Sequence, residues 1–332
     1  MSRVRIATPE GPGTTNDAAN SRSPPISSTP QPVSQKSVTT PNDHHRQRSH
    51  IRHKNSRSPP GGMCACHARR LTHTRQNTLN CRQSPPVHNP VAEIGEVVRE
   101  HGALFYLDAV ASVGAEPVLP DAWGVDLCVI GAQKAMGGPA GVSAISVSER
   151  AWARMAANPR APRRSYLSLL DWKERWIDGG RRALLHAPAQ LEMLALEACL
   201  ERIEAAGPDT VMSRHASAAA ATRAGALALG GGLEPYVYEA RDAAPVATTL
   251  RVPAGVDASE LVARALAVDP ARPLAAGGGA LAKEMVRVNH YGPDASPEAV
   301  HGSLAGLGAA MAEAGLTVDP DGARRAASET WG

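Results

Sequence analysis

Two charged residues, Asp108 and Lys134, each stand at the end of a short apolar segment. These segments cover residues 103–107 and 125–132, and Gly and Pro residues bound them. Apolar segments of this length are typical of strands buried on both faces of a parallel sheet, so we expect both side chains at its carboxyl edge. Open α/β sheets bind ligands at that edge. A carboxylate beside a primary amine matches pyridoxal phosphate, whose ring nitrogen takes an acid and whose aldehyde takes an amine.

Each residue of this pair has a chemical interpretation and a simpler one. A lysine amine is normally protonated near pH 10.4, but it becomes an aldimine on condensing with an aldehyde and can move a proton once released. A carboxylate that keeps the ring nitrogen protonated makes the ring an electron sink. Alternatively, Lys134 is a solvated lysine in a glycine-rich turn, and Asp108 caps the turn after its strand.

The elements around the pair predict an α/β sheet. Asn89 is expected to cap a helix, with Pro90 in its first position and Gly102 at its end. The two strands described above follow, and a third strand is expected over residues 142–147. Ser148 is then predicted to cap another helix.

Beyond residue 160 the pattern predicts a connection and then a small α+β domain. Residues 160–187, rich in Arg and Trp, are interpreted as an irregular connection that crosses a subunit interface. The expected elements after it are helices over 188–206 and 211–229, a strand over 247–252, a helix over 257–267, a strand over 285–289 and a helix capped by Ser296. We therefore predict a large domain over residues 89–210 and a small C-terminal domain with its tail over 211–332.

The first 88 residues differ in composition from the rest. They carry thirteen Lys and Arg against three Asp and Glu, a net charge of about +10, and they contain no Phe, Trp or Tyr. Because the whole chain carries +3, the remainder carries about −7, so overall charge gives no argument that the folded part binds nucleic acid. Such a composition cannot form a core, so we predict a disordered basic leader without packed structure.

Three interpretations of the leader remain open, and the sequence favours the third. It is a basic tail that binds nucleic acid or an acidic surface, an Arg- and Ser-rich transit peptide, or a mis-assigned or frame-shifted start that truncates the true N-terminus. Its Cys64, Cys66, His67 and Cys81 lack the paired spacing of zinc sites, so no metal is predicted.

The remaining cysteines and the hydropathy indicate a cytoplasmic protein. Cys128 and Cys199 lie in apolar patterns and are interpreted as reduced core residues. No apolar segment approaches the roughly 20 residues that span a bilayer, so no membrane is expected.

The motifs around the pair resemble the class V (fold type I) pyridoxal-phosphate aminotransferases, in the branch of the alanine-glyoxylate, serine-pyruvate and pyridoxamine-pyruvate enzymes. Residues 108–114, the Gly-Ala-Gln-Lys motif that ends at Lys134, 26 residues after Asp108, and the Gly-Gly-Pro-Ala-Gly motif over 137–141 carry the resemblance. Residues 148–155 and 285–292 belong to it, and it extends from about 89 to about 315. It implies part of the large domain of that fold, mostly a parallel sheet with helices, and a homodimer.

The resemblance also implies roles for individual residues. Lys134 would be the catalytic lysine, Asp108 would bind the pyridinium nitrogen, Val110 would press on one ring face, and Gln133 would contact the cofactor through its amide. Arg287 would bind the substrate carboxylate, for which a planar guanidinium is better suited than an ammonium. Gln133 also argues against the cysteine desulfurases, which have a histidine immediately before the lysine. His290 and Tyr291 either line the same mouth or serve as packing.

Two departures from the family concern the cofactor phosphate. Relatives contribute a Tyr and a Thr from the neighbouring subunit, and the matching positions here are Leu184 and Ala187, which have no side-chain donor. The glycine- and serine-rich phosphate loop and the stacking aromatic ring are expected before Asn89, where no such motif occurs. Each lost charge-assisted hydrogen bond is worth roughly 1.5–3 kcal/mol, so losing three or four weakens cofactor binding by several orders of magnitude.

The sequence therefore predicts transamination from a small amino acid, such as alanine, serine or a related amine, to glyoxylate or pyruvate, through a Lys134 aldimine. The alternative is a truncated or frame-shifted, catalytically silent aminotransferase fragment that acts at most as a binding protein. A third hypothesis is nucleic-acid binding by the basic leader, which would weaken steeply with salt.

Overall fold

The computed structural model of the protein describes residues 76–79 and 87–331, in which two four-stranded sheets are present. The first sheet has the order β1-β2-β3-β4, with strands Gln76–Leu79, Phe105–Asp108, Leu127–Gly131 and Ser143–Val147. Strands β1, β2 and β3 run parallel, and β4 is antiparallel to β3. With helices packed on its sheets, the described chain confirms the predicted α/β fold class.

Strand β4 is the antiparallel member of the sheet, which is otherwise parallel as the family resemblance implied. Residues 132–142, which join β3 to β4, contain no helix. A strand that pairs in parallel with the preceding one needs a longer crossover connection, usually a helix. Because the connection here is short, β4 runs antiparallel to β3.

Strand β1 corrects part of the prediction for the first 88 residues. Residues 76–79 pair in parallel with β2 along their whole length, so the expectation of no packed structure is wrong for them. Composition could not reveal this pairing because backbone hydrogen bonds hold a strand and do not depend on apolar side chains. The expectations for residues 1–75, and with them Cys64, Cys66 and His67, lie outside the described residues, as does Cys81.

The first sheet is packed against helix α1, Val91–Glu100. Phe105 and Leu107 point from β2 into a fully buried cluster with Val91 and Val98 of the helix. Burying a large apolar side chain contributes roughly 1.5–3 kcal/mol, so these residues fix the strand that ends at Asp108. The predicted cap is wrong in detail: the N-cap position belongs to Pro90, and no side chain makes a cap hydrogen bond there.

Helix α2, Glu149–Ala156, begins as predicted, because the Ser148 hydroxyl accepts a hydrogen bond from the Ala151 amide. The interpretation of residues 160–187 as irregular is partly wrong. They contain helix α3, Leu169–Trp172, which continues into a π-helical turn over Lys173–Ile177. The Arg163 guanidinium forms ion pairs with Asp171 and Glu174 in this region.

The second sheet is antiparallel, with the order β5-β6-β8-β7. Its strands are Glu234–Pro235, Ala247–Arg251, Leu274–Ala276 and Met285–Asn289, numbered β5 to β8 in chain order. Helices pack on one face of this sheet, in a core to which Leu250, Val286 and Val288 contribute. The helices of this half are α4, Gln190–Ala206; α5, Pro208–Leu229; α6, Ala258–Val268; α7, Pro297–Glu313; and α8, Pro320–Thr330.

The sequence predicted the long helices and β8 closely, and it did not predict β5, β7 and α8. Ser296 caps α7 as expected, since its hydroxyl accepts from the Ala299 amide at 3.2 Å.

Cys128 and Cys199 are buried free thiols, in agreement with their interpretation as core residues. The division into two domains at residue 210 stays a prediction. Within residues 76–79 and 87–331, no helix is long and apolar enough to cross a membrane.

Candidate active site

Asp108 is the last residue of β2 and lies beside Val129 of the parallel strand β3. The amide of Ala109, the next residue, donates to the Val129 carbonyl at 2.9 Å, so the strands stay paired up to this edge. The half-buried Asp108 carboxylate accepts a hydrogen bond from the Val110 amide through Oδ1 at 3.0 Å. It therefore caps the following turn, as the simpler interpretation expected, with one of its two oxygens.

The surroundings of Asp108 are kept free of a second anion. Burial, and next the nearby Asp108 charge, raise the pKa of the Cys128 thiol on β3 to about 11. Burial and then the same carboxylate also raise the pKa of Tyr106. Both groups are thus neutral at pH 7, and neither places a second negative charge beside the Asp108 carboxyl group.

Lys134 lies in a turn over residues 132–137, immediately after β3. Two backbone hydrogen bonds close this turn, from Gly138 to the Ala132 carbonyl at 2.7 Å and from Gly137 to the Lys134 carbonyl at 2.8 Å. The Lys134 side chain is half-buried, whereas that of Gln133 is exposed. The turn therefore fixes the direction in which the lysine leaves the sheet edge.

Contacts from elsewhere in the chain hold the same turn. The Arg202 guanidinium on α4 donates to the Met136 carbonyl at 2.7 Å, and the Cys199 thiol approaches the same oxygen at 3.3 Å. The Gly292 amide, after β8, donates to the Ala135 carbonyl at 3.1 Å. Of the five carbonyl groups of residues 132–136, all but that of Gln133 thus accept a hydrogen bond. A restrained backbone positions a reactive side chain more precisely than a mobile loop does.

The turn after Asp108 packs directly against the Lys134 turn. Ala111 and Ala115 form a buried cluster with Ala135. Gly114, in the first turn, lies so close to the Lys134 turn that a Cβ atom on it would be 3.2 Å from the Met136 amide nitrogen. The structure therefore brings together the two loops that carry the predicted acid and amine.

Arg287 lies in the middle of β8, directly opposite Thr249 of β6 and Ala275 of β7. Its neighbours Val286 and Val288 point into the helical core on the other face of the sheet. Since strand side chains alternate, Arg287 projects away from those helices. Its Nε atom is buried and makes no hydrogen bond within the described chain. A buried guanidinium nitrogen without a partner is suited to an anionic ligand.

Of the two interpretations of His290, lining the mouth of the site or packing, the structure favours packing. The side chain is fully buried, and its Nε2 lies 3.0 Å from the Thr248 hydroxyl. Burial, and next the neighbouring His215, lower the pKa of His290 to about 3. The ring therefore stays neutral near pH 7 and is unsuited to binding a carboxylate by charge.

Two positions were expected near the cofactor phosphate. Leu184 and Ala187 lie between the π-helical turn and α4, and both side chains are exposed. The phosphate loop that the family resemblance implies before Asn89 has no counterpart motif in the sequence there, and residues 1–75 and 80–86 of that stretch lie outside the described residues. The described part of the site therefore fits the ring and aldehyde of pyridoxal phosphate, through a carboxylate and an amine on adjacent strand ends.

Sequence reasoning missed the residues that hold the Lys134 turn. Arg202 was part of a predicted helix and Gly292 ended a recognised motif, but neither position indicates contact with residues 135–136. Both contacts join segments more than 60 residues apart, and a single sequence carries no local signal for them.

Known proteins are similar to this chain in sequence and in fold. A family model described as aminotransferase class-V matches residues 87–291. A curated relative, the pyridoxamine–pyruvate transaminase of Mesorhizobium japonicum, is 37% identical over 227 residues, which are 68% of this chain and 56% of that relative.

Two crystal structures show the similarity in three dimensions. The pyridoxamine-pyruvate aminotransferase from Mesorhizobium loti superposes with a TM-score of 0.71 and 34% identity, covering 77% of this chain and 64% of that one. The ureidoglycine-glyoxylate aminotransferase from Bacillus subtilis gives a TM-score of 0.71 and 29% identity, with coverages of 77% and 65%. The chain spans less than two thirds of the length of each of these three proteins.

Proposed function

The chain belongs to the class V aminotransferases, and from that premise we propose that it transfers an amino group from a small amino acid to a 2-oxo acid. Enzymes of this class depend on pyridoxal phosphate. The proposed donors are alanine, serine or a related amine, and the proposed acceptors are glyoxylate and pyruvate. The observation that carries the proposal is the pair of half-buried residues Asp108 and Lys134 on the ends of adjacent parallel strands, with their two loops packed together.

We propose for the cofactor-binding residues the roles that the family resemblance implies. When bound, pyridoxal phosphate supplies an aldehyde that exchanges amino groups and a ring that delocalises the electrons released with the substrate α-proton. Asp108 holds a proton on the ring nitrogen through an ion pair. Val110 packs on a ring face, and the Gln133 amide contacts the cofactor from the position immediately before Lys134.

Lys134 and Arg287 act on the substrate. The Lys134 amine anchors the cofactor between turnovers, and it removes and returns the α-proton when it is free. Arg287 binds the substrate carboxylate, for which its buried Nε provides an unused donor. Arg202 and Gly292 contact neither ligand; they position Lys134 by restraining its turn.

Covalent labelling tests this proposal without requiring turnover. The full chain is incubated with pyridoxal phosphate, reduced with borohydride and digested, and the modified lysine is identified by mass spectrometry. We expect the label on Lys134, its loss in Lys134→Ala, and its retention in Lys283→Ala, a control lysine whose side chain is 84% exposed. Labelling spread over surface lysines, unchanged in Lys134→Ala, would contradict the assignment.

Amino transfer is then measured directly. The loaded chain is supplied with alanine or serine and with pyruvate or glyoxylate, and the product amino acid is quantified. Transfer that is lost in Lys134→Ala and retained in Lys283→Ala supports the function, and labelling of Lys134 without any transfer would contradict it.

The proposed assembly is a homodimer. Apolar side chains are exposed on α4, where Leu191 is 82% and Leu194 is 61% exposed, and just before α3, where Leu167 is 71% exposed. Leu191 and Leu194 are three residues apart on one helix and so share a face, and exposed apolar faces are typical of interaction surfaces. Light scattering coupled to size-exclusion chromatography should give twice the chain mass, and a monomer at all concentrations would exclude this assembly.

A further inference from the structure

Three buried polar atoms on the second sheet lack hydrogen-bond partners within the described chain. They are Oγ1 of Thr249, Nε of Arg287 and Oδ1 of Asn289. Buried polar groups in native proteins are nearly always hydrogen-bonded, because desolvating one without a partner is unfavourable. Because these three atoms lie on neighbouring residues of one sheet, a single ligand could supply all of the missing partners.

These atoms belong to one face of the sheet. Thr249 lies directly opposite Arg287, and Asn289, two residues further along β8, lies opposite Ala247. Residues two apart along a strand, and residues directly opposite on paired strands, project to the same side. The three side chains therefore form a continuous polar strip along β6 and β8.

The polar strip faces the part of the molecule that carries Lys134. Ala247, on the same face, forms a buried cluster with Ala111, Ala115 and Ala135, which come from the loops after Asp108 and around Lys134. The opposite face, with Leu250 and Val286, is covered by the helical core. A ligand on the strip would thus lie on the Lys134 side of the sheet.

The hydrogen-bonding types along the strip are not uniform. The Arg287 Nε–H is a donor and the Thr249 hydroxyl can donate, so together they suit the two oxygens of a carboxylate. The Asn289 Oδ1 is an acceptor and requires a donor from the ligand. Since residues i and i+2 of a strand lie roughly 6.5–7 Å apart, a three-carbon acid with a hydroxyl on its far carbon has a suitable length.

We propose that Thr249 and Asn289 determine substrate specificity, and that this site selects three-carbon acids bearing a hydroxyl on C3 over their unsubstituted analogues. Arg287 and Thr249 bind the carboxylate, and the Asn289 amide oxygen accepts a hydrogen bond from the C3 hydroxyl. For turnover this inference rests on the proposed function, and it predicts that serine is preferred to alanine as the amino donor. The recognition itself requires no reaction.

Binding of unreactive acids separates recognition from catalysis. The full chain, without added cofactor, is titrated calorimetrically with 3-hydroxypropionate and with propionate, which differ by the one hydroxyl. We expect the hydroxy acid to bind about tenfold more tightly, the effect of one satisfied hydrogen bond. Equal affinity of the wild-type chain for the two acids, or binding of neither, would overturn the inference without the use of any variant.

Substitutions assign the preference to particular residues. Asn289→Ala should abolish the tenfold difference and leave propionate binding unchanged, whereas Thr249→Val should weaken both acids several-fold and Thr249→Ser should restore them. Asn158→Ala, which changes an exposed asparagine, is the matched control and should behave as wild type. A preference that persists in Asn289→Ala would overturn the role of that residue.

The outcome with the loaded chain distinguishes this inference from the proposed function. If the hydroxy acid is preferred but no amino transfer occurs, recognition by the polar strip stands and the proposed function fails. If transfer occurs with a serine-to-alanine ratio of kcat/KM near one, or with a ratio that Asn289→Ala does not change, the specificity inference fails and the proposed function stands.

Discussion

Replacement of Gly137 by alanine tests the close contact between the Lys134 turn and the loop after β8. Gly137 adopts a φ of +69°, in the left-handed region that favours glycine. An added Cβ would lie 2.7 Å from Cδ of Pro293 and 2.9 Å from Cα of Gly292, distances that require the backbone to move. The substitution should therefore push the turn away from the loop.

The expected loss of stability has two parts. A non-glycine residue in the left-handed region costs roughly 1–2 kcal/mol. Forcing an extra methyl group into a packed site costs typically a further 1–3 kcal/mol. Gly255→Ala is the matched control, because Gly255 has a φ of +87° but no atom within 4 Å of the added Cβ. The difference between the two variants isolates the contact at about 1–3 kcal/mol.

The assay is urea unfolding of both variants and wild type, followed by the labelling of Lys134 with pyridoxal phosphate. Gly137→Ala should be less stable than Gly255→Ala and should label more slowly, since displacement of a reactive group by about 1 Å can reduce rates about a hundredfold. If Gly137→Ala unfolds at the same urea concentration as Gly255→Ala and labels at the wild-type rate, the contact does not position Lys134.

Three further substitutions probe the frame of the site. Arg202→Met removes the donor to the Met136 carbonyl and should destabilise the chain by about 1 kcal/mol, a value discounted for the exposure of the arginine. It should also slow the labelling of Lys134. Labelling at the wild-type rate would show that this contact does not position Lys134. Asp126→Asn weakens the hydrogen bonds that the buried Asp126 carboxylate accepts from the Phe105 amide, Ser148 and Arg150. The free energy of unfolding, measured in urea, should fall by about 2–4 kcal/mol. An unchanged free energy of unfolding would contradict the structural role of Asp126. His290→Gln should reduce the loss of stability in acid: the folded-state pKa of His290 is about 3 and the unfolded value is 6.5, so the unfolded chain takes up the proton first as the pH falls. Stability in the wild type then decreases below pH 6.5 by up to about 1.4 kcal/mol per pH unit, and an equal slope in the variant would exclude His290 as the cause.

Local patterns were sufficient to predict where the proposed site residues lie. The strand ending at Asp108 and the strand Met285–Asn289 carrying Arg287 are short apolar segments with clear ends, and the structure has both with the predicted C-terminal residues. The cap at Ser148 was equally local, because a hydroxyl three residues before a free amide is sufficient to form it. The family resemblance added roles to these positions, and those roles stay predictions.

Features that depend on distant pairing could not be predicted in this way. The antiparallel direction of β4 follows from how the chain returns to β3, and the pairing of β1 depends on residues almost thirty positions away. The polar strip is similar: Thr249 and Arg287 become neighbours only when β6 pairs with β8. Each of those residues alone is an ordinary strand residue in the sequence.

The contacts of β8 link the two ends of the proposed reaction. Arg287 lies on β8, and Gly292, five residues later, donates to the Ala135 carbonyl next to Lys134. The short, turn-restrained segment between them has little freedom, since the His290 amide is bonded to Val246 and its ring to Thr248. A shift of β8 that followed substrate binding at Arg287 would therefore be transmitted to the lysine turn. The residues proposed to bind the carboxylate and to move the proton thus share one backbone frame, and this explains why glycine, with no side chain to separate the two loops, occupies both Gly137 and Gly292.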